Sequence, residues 1–188
     1  VKKAKQWLDE GRIGKIKHIK ADFGYAVPYD NGGRMYNPEL AGGCLLDMGI
    51  YPLAIAQYFN PAPLTELHIK VKKAETGVDN DVVIVANANN VTLSLATSFQ
   101  CRLQNAALII GDKGYISIPN FWRARSCHLF ETDTQIDVFE DTSPAIGYCH
   151  EAEAVGEAML NGQTEHELMP HRVSLQLQHQ LETIKSMF

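Results

Sequence analysis

One acidic side chain stands alone in a long apolar stretch of this sequence. Asp47 is the only formally charged residue between Glu39 and Glu66. Because an ionised carboxylate is costly to bury without partners, the position of Asp47 predicts that this residue has a specific role. Tyr51 follows four residues later, which places it on the same face of a helix. A Tyr can give or take the proton of an alcohol when a nearby cation lowers its pKa from about 10 toward neutrality.

Each of these residues also has a purely structural interpretation. Tyr51 suits the core of a buried helix, and Asp47 suits a first helical turn, where backbone N–H groups and the helix dipole satisfy an acid. The preceding Gly42 and Gly43 fit a tight entry into that helix or a close backbone approach by a ligand. Pro52 must lie in the first turn of the helix or kink it. The angle between the Asp47 and Tyr51 side chains about the helix axis is therefore fixed only to within part of a turn.

Three further side chains are candidates for the same site. Arg34, in the loop before the apolar stretch, can anchor a polar or anionic substrate, or it can be a solvated loop residue. Trp122 follows a predicted hairpin and can wall an apolar pocket or belong to the core or its rim. His150 opens a helix, where it is an acid/base group, a ligand contact or a surface residue. The histidines lack metal-ligand spacing, so we predict no metal.

The elements that must position these residues follow from hydrophobic periodicity. Residues 15–27 alternate, with Ile19, Ala21 and Phe23 on one side, as in a strand with one buried face. Residues 45–59 are apolar nearly all round, as in a buried helix. Helices are also predicted over residues 2–10, 149–160 and 172–187, and hairpin-linked strands between residues 64 and 140. This order predicts an α+β fold: a largely antiparallel open sheet with helices packed on one face.

Composition narrows the possible partners and the compartment. A formal net charge of −5 without a basic run argues against nucleic acid. No apolar stretch is judged long enough to span a membrane, and the N-terminus lacks a secretory signal. The four cysteines are widely spaced without a C-x-x-C pair, which favours reduced thiols and a cytoplasmic location. The sequence opens on Val1 rather than Met, which favours a piece of a longer polypeptide.

Residues 41–52, read together with residues 34–40, resemble the Gfo/Idh/MocA family of NAD(P)-dependent oxidoreductases. The resemblance is strongest to the branch of dihydrodiol dehydrogenase and glucose-fructose oxidoreductase, in which a Tyr replaces the His of other branches. It implies that Tyr51 is catalytic and that Asp47 orients Tyr51 or binds a substrate hydroxyl. It also implies that Tyr148 and His150 close one side of the site. Gly42 and Gly43 would then approach the nicotinamide side.

The same resemblance covers only the second of the family's two domains. It implies that residues 1–188 are the substrate-binding and oligomerisation domain, working with an N-terminal Rossmann domain on NAD or NADP and a small-molecule substrate. No G-x-G-x-x-G and no Glu-Lys-Pro occurs in the sequence, so we expect no cofactor to bind this chain alone. The sheet face left free of helices would form a homo-oligomer. The alternative is a binding or scaffold domain of the same fold without catalysis.

Overall fold

The computed structural model describes residues 1–143 and 147–188, which form one eight-stranded sheet with α-helices. The strands are β1 (Ile16–Gly24), β2 (Thr65–Lys73), β3 (Asp79–Ala88), β4 (Val91–Ser98), β5 (Ala106–Gly111), β6 (Tyr115–Pro119), β7 (Ser126–Glu131) and β8 (Thr134–Glu140). The helices are α1 (Lys2–Asp9), α2 (Ile50–Phe59), α3 (Gly147–Leu160) and α4 (His171–Lys185). The predicted α+β class with a largely antiparallel open sheet is confirmed.

Strand β1 lies at the centre of the sheet, whose order is β2-β3-β4-β1-β5-β6-β7-β8. It pairs in parallel with β4 and antiparallel with β5, and the other neighbours in the sheet pair antiparallel. The predicted alternation of β1 is confirmed, because Ile19, Ala21 and Phe23 are buried. Strands β3 and β4 continue this buried face, since their inward side chains alternate in the same way. The inward faces of these strands form the platform under the functional site.

The predicted buried helix over residues 45–59 is present, but it begins differently from a plain α-helix. Residues Leu45–Gly49 form a π-helical turn, and α2 continues from Ile50. Pro52 therefore lies in the first turn of α2, where its missing N–H disturbs the helix least. Wide π turns of this kind occur often at functional sites. The turn and α2 pack against the buried face, together with α1 at the other end of the sheet.

One expectation about this helix needs correction. The sequence predicts no apolar stretch of membrane-spanning length, yet the helical segment Pro38–Phe59 is long and apolar enough by length and composition. More than half of it is buried within the fold, where α2 contacts β1 and β4. The core helix of a soluble protein has the same length and composition, because it too is surrounded by apolar side chains.

The opposite face of the sheet carries side chains that remain partly open to solvent. Val83 and Val85 of β3 are 39% and 40% exposed, and His18 and Lys20 of the central strand are also exposed. Helices α1, α2 and α4 pack on the other side, as predicted, and their buried side chains join the core. This outer face therefore offers a mixed apolar and basic surface beside the buried core.

Candidate functional site

The loop between β1 and the π turn is held by its own backbone and by one buried Tyr. Tyr36 is 5% exposed and donates a hydrogen bond to the carbonyl of Val27, 3.0 Å away. The N–H of Gly42 donates to the carbonyl of Asn37 at 2.9 Å. A Cβ on Gly42 would lie 2.8 Å from three carbonyl oxygens, those of Arg34, Met35 and Asn37. Gly42 is therefore required by the close packing of this loop on itself.

Gly43 serves the same tight entry in a different way. Its φ is +120°, a conformation that favours Gly, and a Cβ there would meet the carboxylate of Asp79 at 2.3 Å. Both glycines are buried against their own chain. Of the two roles predicted for them, the structure supports the tight entry into the helix; the approach to a nicotinamide stays a prediction.

Asp79 satisfies the start of the π turn. Its side chain, 3% exposed, accepts a hydrogen bond of 2.6 Å from the N–H of Leu45, the first residue of the turn. The thiol of Cys44 lies 3.4 Å from the same oxygen. Burial, followed by the charge of Asp79, raises the pKa of the Cys44 thiol, which keeps it protonated as a donor. A carboxylate at this position also complements the positive end of the helix dipole.

Cys44 and Thr97 join this arrangement to the sheet. The Thr97 hydroxyl donates to the carbonyl of Cys44 at 3.3 Å, and the Cys44 thiol lies 3.7 Å from the carbonyl of Thr97. Thr97 is 1% exposed, so the pair is shielded from water. The start of the turn is thereby fixed to β3 through Asp79 and to β4 through Thr97.

Asp47 is paired with a cation in the folded chain. Its carboxylate accepts a hydrogen bond from the guanidinium of Arg34, with side-chain exposures of 22% for Asp47 and 56% for Arg34. Asp47 also lies in the first turn of the helical segment, which agrees with its structural interpretation, although the N–H of Leu45 is capped by Asp79. The structure thus joins Arg34 and Asp47, two of the predicted site residues, in one ion pair.

Tyr51 lies next to this pair in a half-buried, aromatic environment. Its ring centroid is 4.9 Å from that of Phe23 on β1. Burial raises the pKa of the Tyr51 phenol, and the charges of Tyr148, Asp47 and Glu151 raise it further. Within this chain the phenol is therefore set to stay protonated at neutral pH. None of the causes that act on the pKa of Tyr51 within the described residues lowers it.

Trp122 extends the aromatic surface beside Tyr51. Its ring lies 4.7 Å from Phe23 and 6.0 Å from Tyr25, and the Arg123 guanidinium is 5.0 Å from the Trp122 ring. Because Trp122 packs at the rim of the core and remains partly exposed, it fits both roles predicted for it. Together, Phe23, Tyr25, Tyr51 and Trp122 form what we call the aromatic wall.

Tyr148 and His150 stand at the start of α3. Tyr148 is 73% exposed and is close enough to Tyr51 for its charge to affect the pKa of that phenol. His150 is also exposed, and it lies near Asp141, whose pKa is lowered first by hydrogen bonds with Ser143 and least by His150. The structure therefore brings Tyr148 to the site, while it records no contact between His150 and Tyr51 among the described residues.

The described residues can be compared with the requirements of a metal ion and of a dinucleotide. In the part of the chain that the structure describes, no group of three His, Cys, Asp or Glu side chains is arranged to hold a metal. A dinucleotide needs its pyrophosphate at an open helix N-terminus. The N-terminus at Leu45 already holds the Asp79 carboxylate, whose negative charge would repel a phosphate. Within the described part of the chain, this helix start is therefore occupied by a carboxylate and is not open to a phosphate.

Asp79 and Tyr36 are the residues that sequence reasoning missed. Asp79 follows Cys44 by 35 residues and begins a strand, so its contact with the helix depends on tertiary pairing. Gly43 was one available signal, since a Gly before an apolar helix indicates that another group of the protein packs closely against the backbone there. No sequence pattern predicts that the Tyr36 hydroxyl donates to the carbonyl of Val27.

The fold and site together define an α+β domain that carries a Tyr, an Asp–Arg ion pair and an aromatic wall beside one helix entry. Residues 1–117 match the model of the GFO/IDH/MocA C-terminal domain. The chain therefore belongs to the Gfo/Idh/MocA family, as its sequence indicated.

Curated relatives support this assignment and show how much of them the chain covers. It is 32% identical over 173 residues to trans-1,2-dihydrobenzene-1,2-diol dehydrogenase of Xenopus laevis, covering 86% of this chain and 51% of that protein. It is 33% identical over 125 residues to dTDP-3,4-didehydro-2,6-dideoxy-alpha-D-glucose 3-reductase of Saccharopolyspora spinosa, covering 62% of this chain and 37% of that protein. The chain thus spans about half the length, or less, of these relatives.

Solved structures confirm the fold. The 3-ketoreductase KijD10 of Actinomadura kijaniata, in complex with NADP and TDP-benzene, matches with a TM-score of 0.83 at 23% identity, covering 98% of this chain and 57% of that one. Aldose-aldose oxidoreductase of Caulobacter crescentus matches with a TM-score of 0.83 at 18% identity, covering 97% and 56%. At these identities the likeness concerns the fold alone.

Proposed function

We propose that this chain is the substrate-binding half of an NAD(P)-dependent oxidoreductase that acts on a secondary alcohol or the corresponding ketone. The observation that carries the proposal is the position of Tyr51 beside the Arg34–Asp47 pair and the aromatic wall. Relatives named as a diol dehydrogenase and a sugar-nucleotide reductase support a cyclic diol, a sugar or a polyol as substrate.

In this proposal Tyr51 moves the proton. Oxidation of an alcohol removes the hydroxyl proton, and reduction of the ketone returns it, while the nicotinamide carries the hydride. Burial keeps the Tyr51 phenol protonated, which suits proton donation to a carbonyl oxygen. For the oxidative direction, a cation from the nucleotide-binding half must lower the pKa of this phenol. The Lys of that half is the candidate implied by the family resemblance.

Asp47 and the aromatic wall hold the substrate. The Asp47 carboxylate, oriented by Arg34, has acceptor capacity left for a substrate hydroxyl. Trp122 and Phe23 present ring surface on which the apolar face of a cyclic substrate can stack. Tyr148, which is near Tyr51, and His150 on the same helix are further substrate contacts in this proposal. A ring with vicinal hydroxyl groups matches both kinds of contact.

The nucleotide is proposed to bind to an N-terminal Rossmann domain of the full-length protein, with this chain as the second domain. We expect isothermal titration of the 188-residue chain with NADH or NADPH to give no measurable heat of binding, because no phosphate cradle is available. Micromolar binding to this chain alone would contradict the proposal.

Replacing Arg34 by Ala in the full-length protein tests the ion pair. Because both partners are partly exposed, we expect thermal stability to change little, by less than about 1 kcal/mol. We expect kcat/KM to fall roughly tenfold, since Asp47 loses the partner that orients it. Arg12→Ala is the matched control, because it removes a comparably exposed ion pair with Asp137. Equal effects of the two variants on kcat/KM would contradict the assignment.

The outer face of the sheet is proposed as the surface of a homo-oligomer, and the protein as cytoplasmic. Partly exposed Val83 and Val85 on that face support association with a second copy. The proposed oligomer surface lies on the face of the sheet opposite to Tyr51, so this proposal is independent of the catalytic proposal.

The alternative is a non-catalytic domain that retains the fold, and one assay separates the two. The full-length protein is incubated with NAD⁺ or NADP⁺ and a panel of cyclic diols, sugars and polyols, and reduced nicotinamide is measured. Turnover of any member supports the enzyme. A protein that binds such a compound without turnover with either cofactor is the outcome expected of a binding or scaffold domain.

A further inference from the structure

A buried acid outside the substrate contacts governs the turn that carries Asp47 and Tyr51. Asp79 lies at the start of β3, is 3% exposed, and has no salt-bridge partner within residues 1–143 and 147–188. A buried carboxylate without a cation is unfavourable unless donors satisfy it. Its donors here are the Leu45 N–H and the Cys44 thiol, both at the first residues of the π turn.

These contacts leave little freedom at the start of the turn. Cys44 is bound on its other side to Thr97 of β4, and Gly43 has no side chain because the Asp79 carboxylate fills that space. At the other end of the turn, a Cβ on Gly49 would lie 3.3 Å from the Thr97 methyl group, so that end also packs closely on β4. A displacement of Leu45 is therefore passed along the turn to Asp47 and then to Tyr51.

We propose that Asp79 is a positioning residue that fixes the π turn, and through it Asp47 and Tyr51, relative to the sheet. This inference rests on the proposed function only for its catalytic consequence. The claim that Asp79 fixes the position of the π turn does not depend on catalysis. Among the described residues, the hydrogen bonds of Asp79 go to Cys44 and Leu45 and not to Asp47 or Tyr51, so Asp79 acts through the backbone of the turn.

The first test measures the turn without any turnover. Asp79→Asn keeps the side-chain volume but removes the charge that holds the Leu45 N–H and the Cys44 thiol. We expect amide hydrogen exchange in the full-length protein to accelerate over residues 45–51 and to stay unchanged in β1 and β5. Asp81→Asn is the control, since Asp81 pairs with Lys72 on the neighbouring strand. It should leave residues 45–51 unchanged.

The second test measures the catalytic consequence. We expect Asp79→Asn to lower kcat on the order of tenfold to a hundredfold with KM nearly unchanged, because a small misplacement of Tyr51 slows the chemical step. The kinetic isotope effect of a substrate deuterated at its carbinol carbon should rise. A merely structural role would reduce the fraction of active protein and leave both KM and the isotope effect unchanged.

The outcomes separate this proposal from the proposed function. Exchange that is equal in Asp79→Asn and Asp81→Asn, or that rises evenly through the sheet, overturns the role of Asp79. A reduced kcat with an unchanged isotope effect overturns it too. Wild-type protein without nicotinamide-dependent turnover overturns the proposed function alone. If Asp79→Asn does not fold, Cys44→Ala removes one donor only and must accelerate exchange within residues 45–51 for the proposal to stand.

Discussion

Replacing Tyr51 by Phe in the full-length protein is expected to lower kcat by about a hundredfold to ten-thousandfold, the usual contribution of a positioned acid or base. Phe keeps the ring that packs on Phe23, so the fold and the aromatic wall should be retained. KM for the substrate should change much less than kcat, because the phenol acts on the reacting oxygen. Steady-state kinetics with the best substrate of the panel provides the measurement.

Tyr58→Phe is the matched control for this variant. Tyr58 lies on the same helix, is partly buried, and packs its ring edge-to-face against Phe59 with a centroid distance of 5.3 Å. Loss of its hydroxyl should leave kcat unchanged. If Tyr51→Phe retained wild-type turnover, or if both variants lost activity equally, Tyr51 would not be the proton-transfer residue.

The pH profile adds a second readout to the same variant. Ketone reduction needs the protonated phenol, so kcat for reduction should decline as the pH rises through the pKa of Tyr51. Alcohol oxidation needs the ionised phenol, so its kcat should increase over the same range. Burial raises this pKa within the chain, and a cation of the nucleotide-binding half is expected to lower it. Both dependences should disappear in Tyr51→Phe.

Replacing Gly42 by Ala is expected to destabilise the protein by roughly 3 kcal/mol, since the new methyl group meets three carbonyl oxygens that cannot move independently. For a domain of this size, that loss lowers the melting temperature by about 10 °C. Because these carbonyls belong to the loop that enters the π turn, the folded fraction should also lose catalytic efficiency. Thermal unfolding and steady-state kinetics measure the two effects.

Gly156→Ala is the control for the glycine prediction. Gly156 lies within α3, and nothing lies within 4 Å of a Cβ built there. Ala is the better helix former by about 1 kcal/mol, so this variant should be neutral or slightly stabilising. A Gly42→Ala protein as stable as Gly156→Ala would show that the loop can relax around a side chain, and would contradict the close packing described for it.

Local patterns predicted the elements well because those elements obey simple periodicities. The alternation around Ile19, Ala21 and Phe23 defined the buried side of β1, and the apolar run over residues 45–59 defined the core helix. Both signals arise from burial on one face, which depends little on distant sequence.

The sequence predicted which residues belong to the candidate site better than it predicted how they are arranged. The spacing of Asp47 and Tyr51 assumed an α-helix, whereas the wider π turn rotates one relative to the other and directs Asp47 to Arg34. A π turn has no simple sequence pattern. The role of Asp79 depends on the packing of the π turn against β3, which brings together groups 35 residues apart in the sequence. Such long-range contacts follow from the fold as a whole.

The most direct test of the central claim is a crystal structure of the full-length protein with its nicotinamide cofactor and a substrate or unreactive analogue. The proposal predicts that the reacting oxygen lies within hydrogen-bonding distance of the Tyr51 hydroxyl, roughly 2.6–3.2 Å. A substrate ring resting on Trp122 and Phe23, with a hydroxyl on Asp47, would complete the predicted arrangement. A ligand bound elsewhere, with Tyr51 packed away from its reacting carbon, would contradict the proposed role of this domain.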